Sequence, residues 1–177
     1  MGIEVLFAVI GVLIVIAIFG RRKLEEKRLK DNRKMLTEMN FENLSMAEIE
    51  KILDKAPLLK GNGKFAFKSV GTIPFAKNLD SVRLARRLYF VEPTRVEVLL
   101  IPEPANTERI HAVAVTLDGK VLGYVPAKEA SELHGDLLSR HIGLRVMAKV
   151  YLGSRPEFNA IALDMAKPLR VDSRKRS

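Results

Sequence analysis

The pattern of hydrophobic and polar positions changes character along this chain, and its first segment is apolar. Residues Ile3 to Phe19 form an almost continuous apolar run in which Glu4 is the one charge. As a helix with a rise of 1.5 Å per residue, this run would extend over about 25 Å, which approaches the thickness of the hydrocarbon core of a bilayer. Because it has no polar face, the run predicts a transmembrane helix over residues 1–20.

The charges that flank this run predict its orientation. No Lys or Arg precedes it, and Arg21, Arg22 and Lys23 follow it directly. The positive-inside rule then places the amino terminus outside the cell and the rest of the chain in the cytoplasm. A cleaved signal peptide is the alternative, but its basic leading segment and its small-residue cleavage site are both missing from the sequence. We therefore expect a single-pass protein of the cell membrane.

Residues 21–60 predict a basic helical stalk. Residues 21–40 are rich in Lys, Arg, Glu and Leu and contain no Gly or Pro, which favours a helix. Cations at this position attract anionic lipid headgroups, so the lipid bilayer is an expected partner. The predicted membrane-surface residues are Arg21, Arg22, Lys23, Lys27 and Arg28. Ser45 and Glu48 form a capping box that begins a second helix, and Pro57 ends that helix.

From residue 61 onward, short apolar segments alternate with turn residues. Strands are predicted at Phe65–Ile73, Val96–Ile101, His111–Leu117, Lys120–Val125, Gly143–Leu152 and Phe158–Met165, and helices at Leu79–Leu88 and Ala127–Ser139. Asn78 is expected to cap the first of these helices, and Asp118-Gly119 is a strong hairpin signal. The pattern predicts an α+β domain over residues 61–171, built on a small, curved sheet or barrel. A basic, disordered tail is expected at residues 172–177.

Composition and charge narrow the range of chemistry and of partners expected for this chain. The chain of 177 residues contains no Cys, which excludes disulfides, thiol catalysis and cysteine metal sites. The formal net charge is +9, and residues 61–177 contribute +7 of it, with 19 Lys or Arg against 12 Asp or Glu. A basic domain favours an anionic partner, which is nucleic acid, a lipid surface or an acidic protein.

Sequence patterns typical of catalysis are missing. His111, His134 and His141 do not have the spacing of metal ligands. The sequence contains no P-loop, no serine nucleophile elbow and no glycine-rich dinucleotide turn. We therefore expect a protein that is not an enzyme and that uses no cofactor, no metal and no small-molecule substrate.

One stretch of the predicted domain carries a family resemblance. It contains Leu-Leu-Ile-Pro-Glu-Pro-Ala-Asn at residues 99–106, Ala-Val-Ala-Val at 112–115, Asp-Gly at 118–119 and Gly-Tyr-Val-Pro at 123–126, followed by a helix. This order resembles the HIRAN domain over about forty residues. The resemblance implies a compact β-barrel with flanking helices, related in shape to oligonucleotide-binding (OB) barrels. It also implies binding of single-stranded DNA, which the best-known relatives hold by the 3′ end.

The resemblance extends to only part of the family's binding site. The end-binding loop of the family typically has the sequence Asn-Asn-x-Tyr-Asp, whereas residues 105–109 of this chain are Ala-Asn-Thr-Glu-Arg. Only Asn106 matches, because Glu108 replaces a stacking tyrosine and Arg109 replaces the aspartate that would accept a hydrogen bond from a terminal hydroxyl. Tyr124 remains as an aromatic residue near the expected groove. These changes weaken specific capture of a 3′ end more than general binding of a backbone.

A second basic group precedes this stretch. Arg83 and Arg87 share one face of a predicted helix and are followed by Tyr89-Phe90, a combination typical of single-strand platforms, although a solvated helix face is the alternative. The predicted nucleic-acid-binding residues are Asn106, Arg109, Tyr124, Lys128, Arg83 and Arg87. Together the patterns predict a membrane-tethered, non-enzymatic HIRAN-like module that binds nucleic acid, with single-stranded DNA favoured, at the cytoplasmic face. The alternative is a membrane-anchored adaptor that uses the same fold to bind a protein partner.

Overall fold

The computed structural model describes residues 19–27, 30–31, 34, 45–88, 92–103, 106–138 and 141–172. Residues 19–27, 30–31 and 34 are helical and exposed. Within these described ranges, no helix is both long enough and apolar enough to cross a membrane.

This finding contradicts the predicted transmembrane helix and the predicted location of the chain as a single-pass membrane protein. The predicted span at residues 1–20 lies outside the described residues except for its last two positions. Four of the predicted membrane-surface residues are exposed on the helix described from Phe19 onward: Arg21, Arg22, Lys23 and Lys27. Arg28, the fifth predicted membrane-surface residue, lies outside the described residues.

Six antiparallel strands form one curled sheet in the order β1-β6-β5-β2-β3-β4. The strands are β1 (Phe67–Lys68), β2 (Thr94–Pro102), β3 (Val113–Leu117), β4 (Lys120–Tyr124), β5 (Leu144–Tyr151) and β6 (Ala160–Leu163). The long strand β2 pairs with β5 from Thr94 opposite Val150 to Leu100 opposite Leu144. This central pair is the scaffold from which the two edges of the sheet curl.

The predicted hairpin between β3 and β4 is confirmed. Asp118 and Gly119 have φ angles of 51° and 72°, and a two-residue hairpin turn of type I′ requires positive φ at both positions. Beyond the turn the register shifts between Val115 and Thr116, so that β4 contains one extra residue. A bulge of this kind bends its strand and increases the local twist, which helps the sheet to curl.

The two edges of the sheet meet at a single backbone bridge. Val70 follows β1 at one edge, and Tyr124 ends β4 at the other. The Val70 amide donates to the Tyr124 carbonyl at 2.8 Å, and the Tyr124 amide donates to the Val70 carbonyl at 2.9 Å. The sheet is therefore barrel-like, which agrees with the coarse architecture expected from the sequence.

The main core fills the concave face of the sheet. It contains alternate residues of the central strands, such as Val98 and Leu100 on β2 and Val146 on β5. Two helices, α2 (Ala76–Arg86) and α3 (Ala127–Leu133), cover it and contribute Leu79 and Leu133. A π-helical turn (His134–Leu138) follows α3, and short 3-10 turns lie at Ile73–Phe75 and Pro156–Phe158.

Helix α1 (Met46–Lys55) covers part of the opposite, outer face. Its predicted capping box is present, with the Glu48 amide donating to Ser45 Oγ at 3.4 Å and the Ser45 amide donating to Glu48 Oε2 at 2.9 Å. Ile52 and Ala56 pack against Leu99 and Ile101 of β2 in a second apolar cluster. Residues 45–60, which the sequence places in a stalk, therefore pack against the folded domain.

Two elements differ from the sequence prediction for local reasons. The strand predicted over Phe65–Ile73 has only two β residues, because the chain turns through positive φ at Phe65 (49°) and at Gly71 (69°). Asn78 does not cap α2, which begins two residues earlier. Its side chain instead donates to the Val121 carbonyl at 2.9 Å and ties α2 to β4.

Arg145 on β5 links α1 to the sheet from a nearly buried position. Its side chain donates to the Ala56 carbonyl at 2.7 Å and to Glu97 Oε1 at 3.0 Å, and the residue is only 8% exposed. Removal of one partner of such a pair leaves the other partners unpaired in a low-dielectric environment.

We expect Arg145→Ala to lower the free energy of unfolding by about 3 kcal/mol, measured by urea denaturation. Arg155→Ala is the matched control, because Arg155 forms an exposed pair with Glu157 at 4.0 Å. The control is expected to change the free energy of unfolding by less than about 0.5 kcal/mol. Equal effects of the two substitutions would contradict a structural role for Arg145.

Candidate nucleic-acid interface

The bridge between Val70 and Tyr124 brings three segments together at one edge of the sheet. These segments are the end of β4, the turn from Gly71 to Phe75, and the loop that precedes β3. Tyr124 lies at the centre, and the Phe75 ring packs against it with a centroid separation of 5.8 Å and an interplanar angle of 60°. This tilted arrangement is a favourable geometry for an aromatic pair and holds the Tyr124 ring in place.

Asn106 organises the loop before β3. Its Oδ1 accepts hydrogen bonds from the amides of Glu108 at 3.1 Å and Arg109 at 3.0 Å, and its Nδ2 donates to Glu103 Oε2 at 3.1 Å. Asn106 therefore closes this turn with its own side chain. These bonds fix the direction in which the backbone presents Arg109.

The Arg109 guanidinium lies over the Tyr124 ring, with 4.7 Å between Cζ and the ring centroid. We call this pair the Arg109–Tyr124 stack. Cation–π contacts of this kind contribute about 0.5–1 kcal/mol at exposed sites. Gly71 leaves room for it, since a Cβ at that position would lie 3.1 Å from Arg109 Nη2.

Glu103 holds the polar end of the same ring. The Tyr124 hydroxyl donates to Glu103 Oε2 at 3.0 Å, and Asn106 donates to the same oxygen. Burial, followed by the charge of Glu103 and by this hydrogen bond, raises the pKa of Tyr124 from 10.0 to about 12. The phenol is therefore a neutral donor at physiological pH, and the Glu103 carboxylate is engaged on the protein side.

The cations predicted to bind nucleic acid lie in separate regions of the domain. Helix α2 runs beside β4 from Phe75, near Tyr124, to Arg86, whose Nε donates to Asp118 Oδ2 at 2.6 Å. Arg83 and Arg87 are therefore near the hairpin end of β4, about 13 Å from Tyr124 along the strand. Lys128 is exposed on the first turn of α3. Asn106, Arg109 and Tyr124 form one site, and Arg83 and Arg87 lie apart from it.

Arg83 and Arg87 also have structural roles within α2. Arg83 pairs with Asp80 one turn earlier at 3.4 Å, and Arg87 is the left-handed residue that ends the helix. Tyr89 and Phe90, which the sequence places beside these arginines, lie outside the described residues.

Two histidines lie close together near this loop. The rings of His111 and His134 have centroids 5.1 Å apart, and burial, assisted by the charge of His111, lowers the pKa of His134. In the described part of the chain, no group of three or more His, Cys, Asp or Glu side chains is placed to hold a metal ion.

Three contributors to the site are not identified by sequence reasoning as binding residues. Glu103 appears there only as part of the motif at residues 99–106, and Gly71 and Phe75 are distant in sequence from the segments that they contact. Their proximity depends on the pairing of Val70 with Tyr124, and no local spacing rule reveals that pairing.

No protein-family model, no characterised protein and no solved structure matches this chain. The resemblance to the HIRAN domain therefore stays a prediction from the sequence motif.

The environment of Tyr124 predicts a specific titration. In absorbance titrations, one tyrosine should ionise near pH 12 in the wild-type chain, and Tyr124→Phe should remove that transition. Glu103→Gln should lower the pKa of Tyr124 only in part, because burial is the larger cause of the shift.

The shift also has a consequence for stability. Because the pKa of Tyr124 is higher in the folded chain, its contribution to stability is complete below pH 10 and is lost as the pH rises toward 12. Tyr124→Phe should flatten the alkaline decline in the midpoint of urea denaturation between these pH values. An unchanged decline would show that the pKa of Tyr124 is not raised in the folded chain.

Proposed function

We propose that this chain is a non-enzymatic module that binds single-stranded nucleic acid at the Arg109–Tyr124 stack. The observation that carries the proposal is an exposed guanidinium over an aromatic ring, with Arg109 Cζ 4.7 Å from the Tyr124 ring centroid. The loop beneath it is held by the three hydrogen bonds of Asn106.

This arrangement offers two contacts to a single strand. The Arg109 side chain is exposed, so its guanidinium can stack on an unpaired base and its N–H groups can donate to a phosphate. Arginine combined with an aromatic ring is the usual composition of single-strand binding surfaces. Because Arg109 already contacts the Tyr124 ring and its amide is held by Asn106, less conformational entropy is lost when the ligand binds.

The acidic residues of the site set limits on what it binds. Both Tyr124 and Asn106 donate to one oxygen of Glu103, while Glu108 is exposed and repels phosphate. Arg109 also supplies donors where a terminal hydroxyl would need an acceptor. We therefore expect modest, sequence-tolerant binding that does not depend on a free 3′ hydroxyl.

The family resemblance supports the same proposal. Its motif falls on β2, β3 and β4 of a curled, barrel-like sheet, and Asn106 and Tyr124 meet at one edge of that sheet. A HIRAN-like identity is accordingly part of the proposed function.

The test is fluorescence anisotropy of the full chain with a labelled oligothymidylate over a salt series. We expect binding that weakens as salt rises, because phosphate contacts release counterions. Arg109→Gln should reduce the affinity about tenfold and lower the salt slope by about 0.7. Lys51→Gln, an exposed lysine on α1, is the charge-matched control and should leave both quantities unchanged.

Two results would remove the proposal. One is no binding at low salt, and the other is an affinity that does not respond to salt. Equal losses in Arg109→Gln and in the Lys51→Gln control would indicate a general charge effect instead of a site.

A second candidate function is a protein-interaction adaptor, and one observation favours it. Ile110, next to Arg109 in the loop, is 86% exposed, and Ile73 in the turn before Phe75 is 61% exposed. Isolated exposed apolar residues are common, but these two belong to the segments that form the Tyr124 site.

The adaptor is tested by affinity capture with and without nuclease. The adaptor function requires that a stoichiometric protein partner is still captured after nuclease treatment. The same partner should no longer be captured by an Ile73→Ser/Ile110→Ser variant. A partner that disappears with nuclease treatment would instead support nucleic-acid binding.

A further inference from the structure

A row of cations crosses the outer face of the sheet away from α1. Arg95 on β2 is directly opposite Lys149 on β5, Lys149 is opposite Ala162 on β6, and Ala162 is opposite Lys68 on β1. Directly paired residues project from the same face of an antiparallel sheet. Arg95, Lys149 and Lys68 therefore form one line across four strands, and we call it the outer cation row.

The row faces away from the main core. Ala148 and Val150, which flank Lys149, belong to the core, as does Val96 next to Arg95. Because side chains alternate along a strand, the cations project outward. Arg95 and Lys68 are exposed and Lys149 is half-buried.

Phe65 lies against two of these cations. Its ring centroid is 5.5 Å from Arg95 Cζ and 4.7 Å from Lys149 Nζ. Phe65 has a φ of 49°, a left-handed conformation that is unfavourable for a bulky residue. Backbone strain of this kind is concentrated at functional sites, where it positions a side chain.

The row is unfavourable for the unliganded chain. Like charges directly opposite each other destabilise a sheet, and the Phe65 ring compensates for this only in part. Glu97, two residues from Arg95 on the same face, accepts a hydrogen bond from Arg145 at 3.0 Å and so is already engaged. An anionic ligand would relieve the remaining repulsion.

The row leads to the Arg109–Tyr124 stack. Lys68 is two residues before Val70, which bridges to Tyr124. A path of three strand spacings across the sheet and two residues along the chain, about 20 Å in all, leads from the far end of the row to this bridge. Tyr151, on the same face two residues after Lys149, is 39% exposed and adds an aromatic surface. Cations with interspersed aromatic rings favour nucleic acid over an acidic peptide, because carboxylates need charge but no stacking.

We infer that the outer cation row binds the phosphodiester backbone of the same single strand whose base contacts the Arg109–Tyr124 stack. The strand then crosses β1, β6, β5 and β2 on the outer face. This inference rests on the proposed function and extends it, because it assigns Arg95, Lys149, Lys68 and Phe65 as binding residues and predicts a minimum ligand length.

Ligand length and charge together test the inference in the full chain. Affinities are measured for oligothymidylates of about 3 and about 12 nucleotides, a range that includes the footprint of single-strand binding folds. For the longer ligand, Arg95→Gln/Lys149→Gln should reduce the affinity about tenfold and lower the salt slope by about 1.4, since two phosphate contacts are lost. For the shorter ligand, it should change neither.

Two further variants control the measurement. Lys51→Gln/Lys55→Gln removes the same charge from the exposed face of α1 and should change neither affinity. Phe65→Leu keeps the apolar volume but removes the ring, and it should weaken binding of the longer ligand alone. The midpoint of urea denaturation of Arg95→Gln/Lys149→Gln should not fall, because a like-charge pair is removed.

The outcomes separate this inference from the proposed function. Wild-type binding with no effect of the row variant on either ligand would overturn the inference and leave the proposed function standing. An equal loss of affinity for the shorter and the longer ligand in Arg95→Gln/Lys149→Gln would contradict a strand that extends from the stack along the outer cation row. Failure of the wild-type chain to bind either ligand would remove both proposals. Equal competition by polyglutamate would overturn the assignment to nucleic acid.

Discussion

The backbone bridge between Val70 and Tyr124 is the interaction on which the candidate site depends. Its two hydrogen bonds join the residue Val70, which follows β1, to the end of β4, and these two strands lie at opposite edges of the sheet. They bring Gly71 beside Arg109 and Phe75 beside Tyr124, so three segments distant in sequence share one surface. Gly123 makes the approach possible, since a Cβ there would lie 3.0 Å from the Val70 carbonyl oxygen. A larger residue at position 123 would push the two edges apart.

The curling of the sheet that the bridge completes also determines where several cations of this protein lie. The stack at the bridge contains one cation supported by an aromatic ring, and the outer cation row repeats this combination around Phe65. One acid near each place is already engaged, Glu103 by Tyr124 and Asn106, and Glu97 by Arg145, whereas Glu108 beside Arg109 is exposed. Part of the excess positive charge of the domain is therefore held in two defined places, and the polyanion that we propose as ligand would have to be flexible to reach both of them.

The sequence predicts those features that depend on neighbouring residues. The capping box at Ser45 and the hairpin at Asp118-Gly119 are each determined within a few residues. The same local reasoning gives a wrong prediction for Asn78, which does not cap α2 because its side chain donates to the Val121 carbonyl on β4. The transmembrane helix, predicted from a long apolar run without a polar face, is also contradicted, since no helix among the described residues could cross a membrane.

The remaining features depend on strand register between distant segments. The cation row requires Arg95 opposite Lys149, and the stack requires the loop before β3 to meet the end of β4. A shift of one residue in either pairing would move these side chains to the other face of the sheet. Sequence patterns do not specify such pairings, so the residues of the site could be named only in part and those of the row not at all.

Hydrogen exchange at the Val70 and Tyr124 amides tests this account most directly. If the bridge closes the sheet, both amides should exchange slowly, with protection approaching that of the central strands β2 and β5. Exchange of both at the rate of the exposed loop amide of Thr107, while β2 and β5 stay protected, would show that the edges are not joined and that the site does not form.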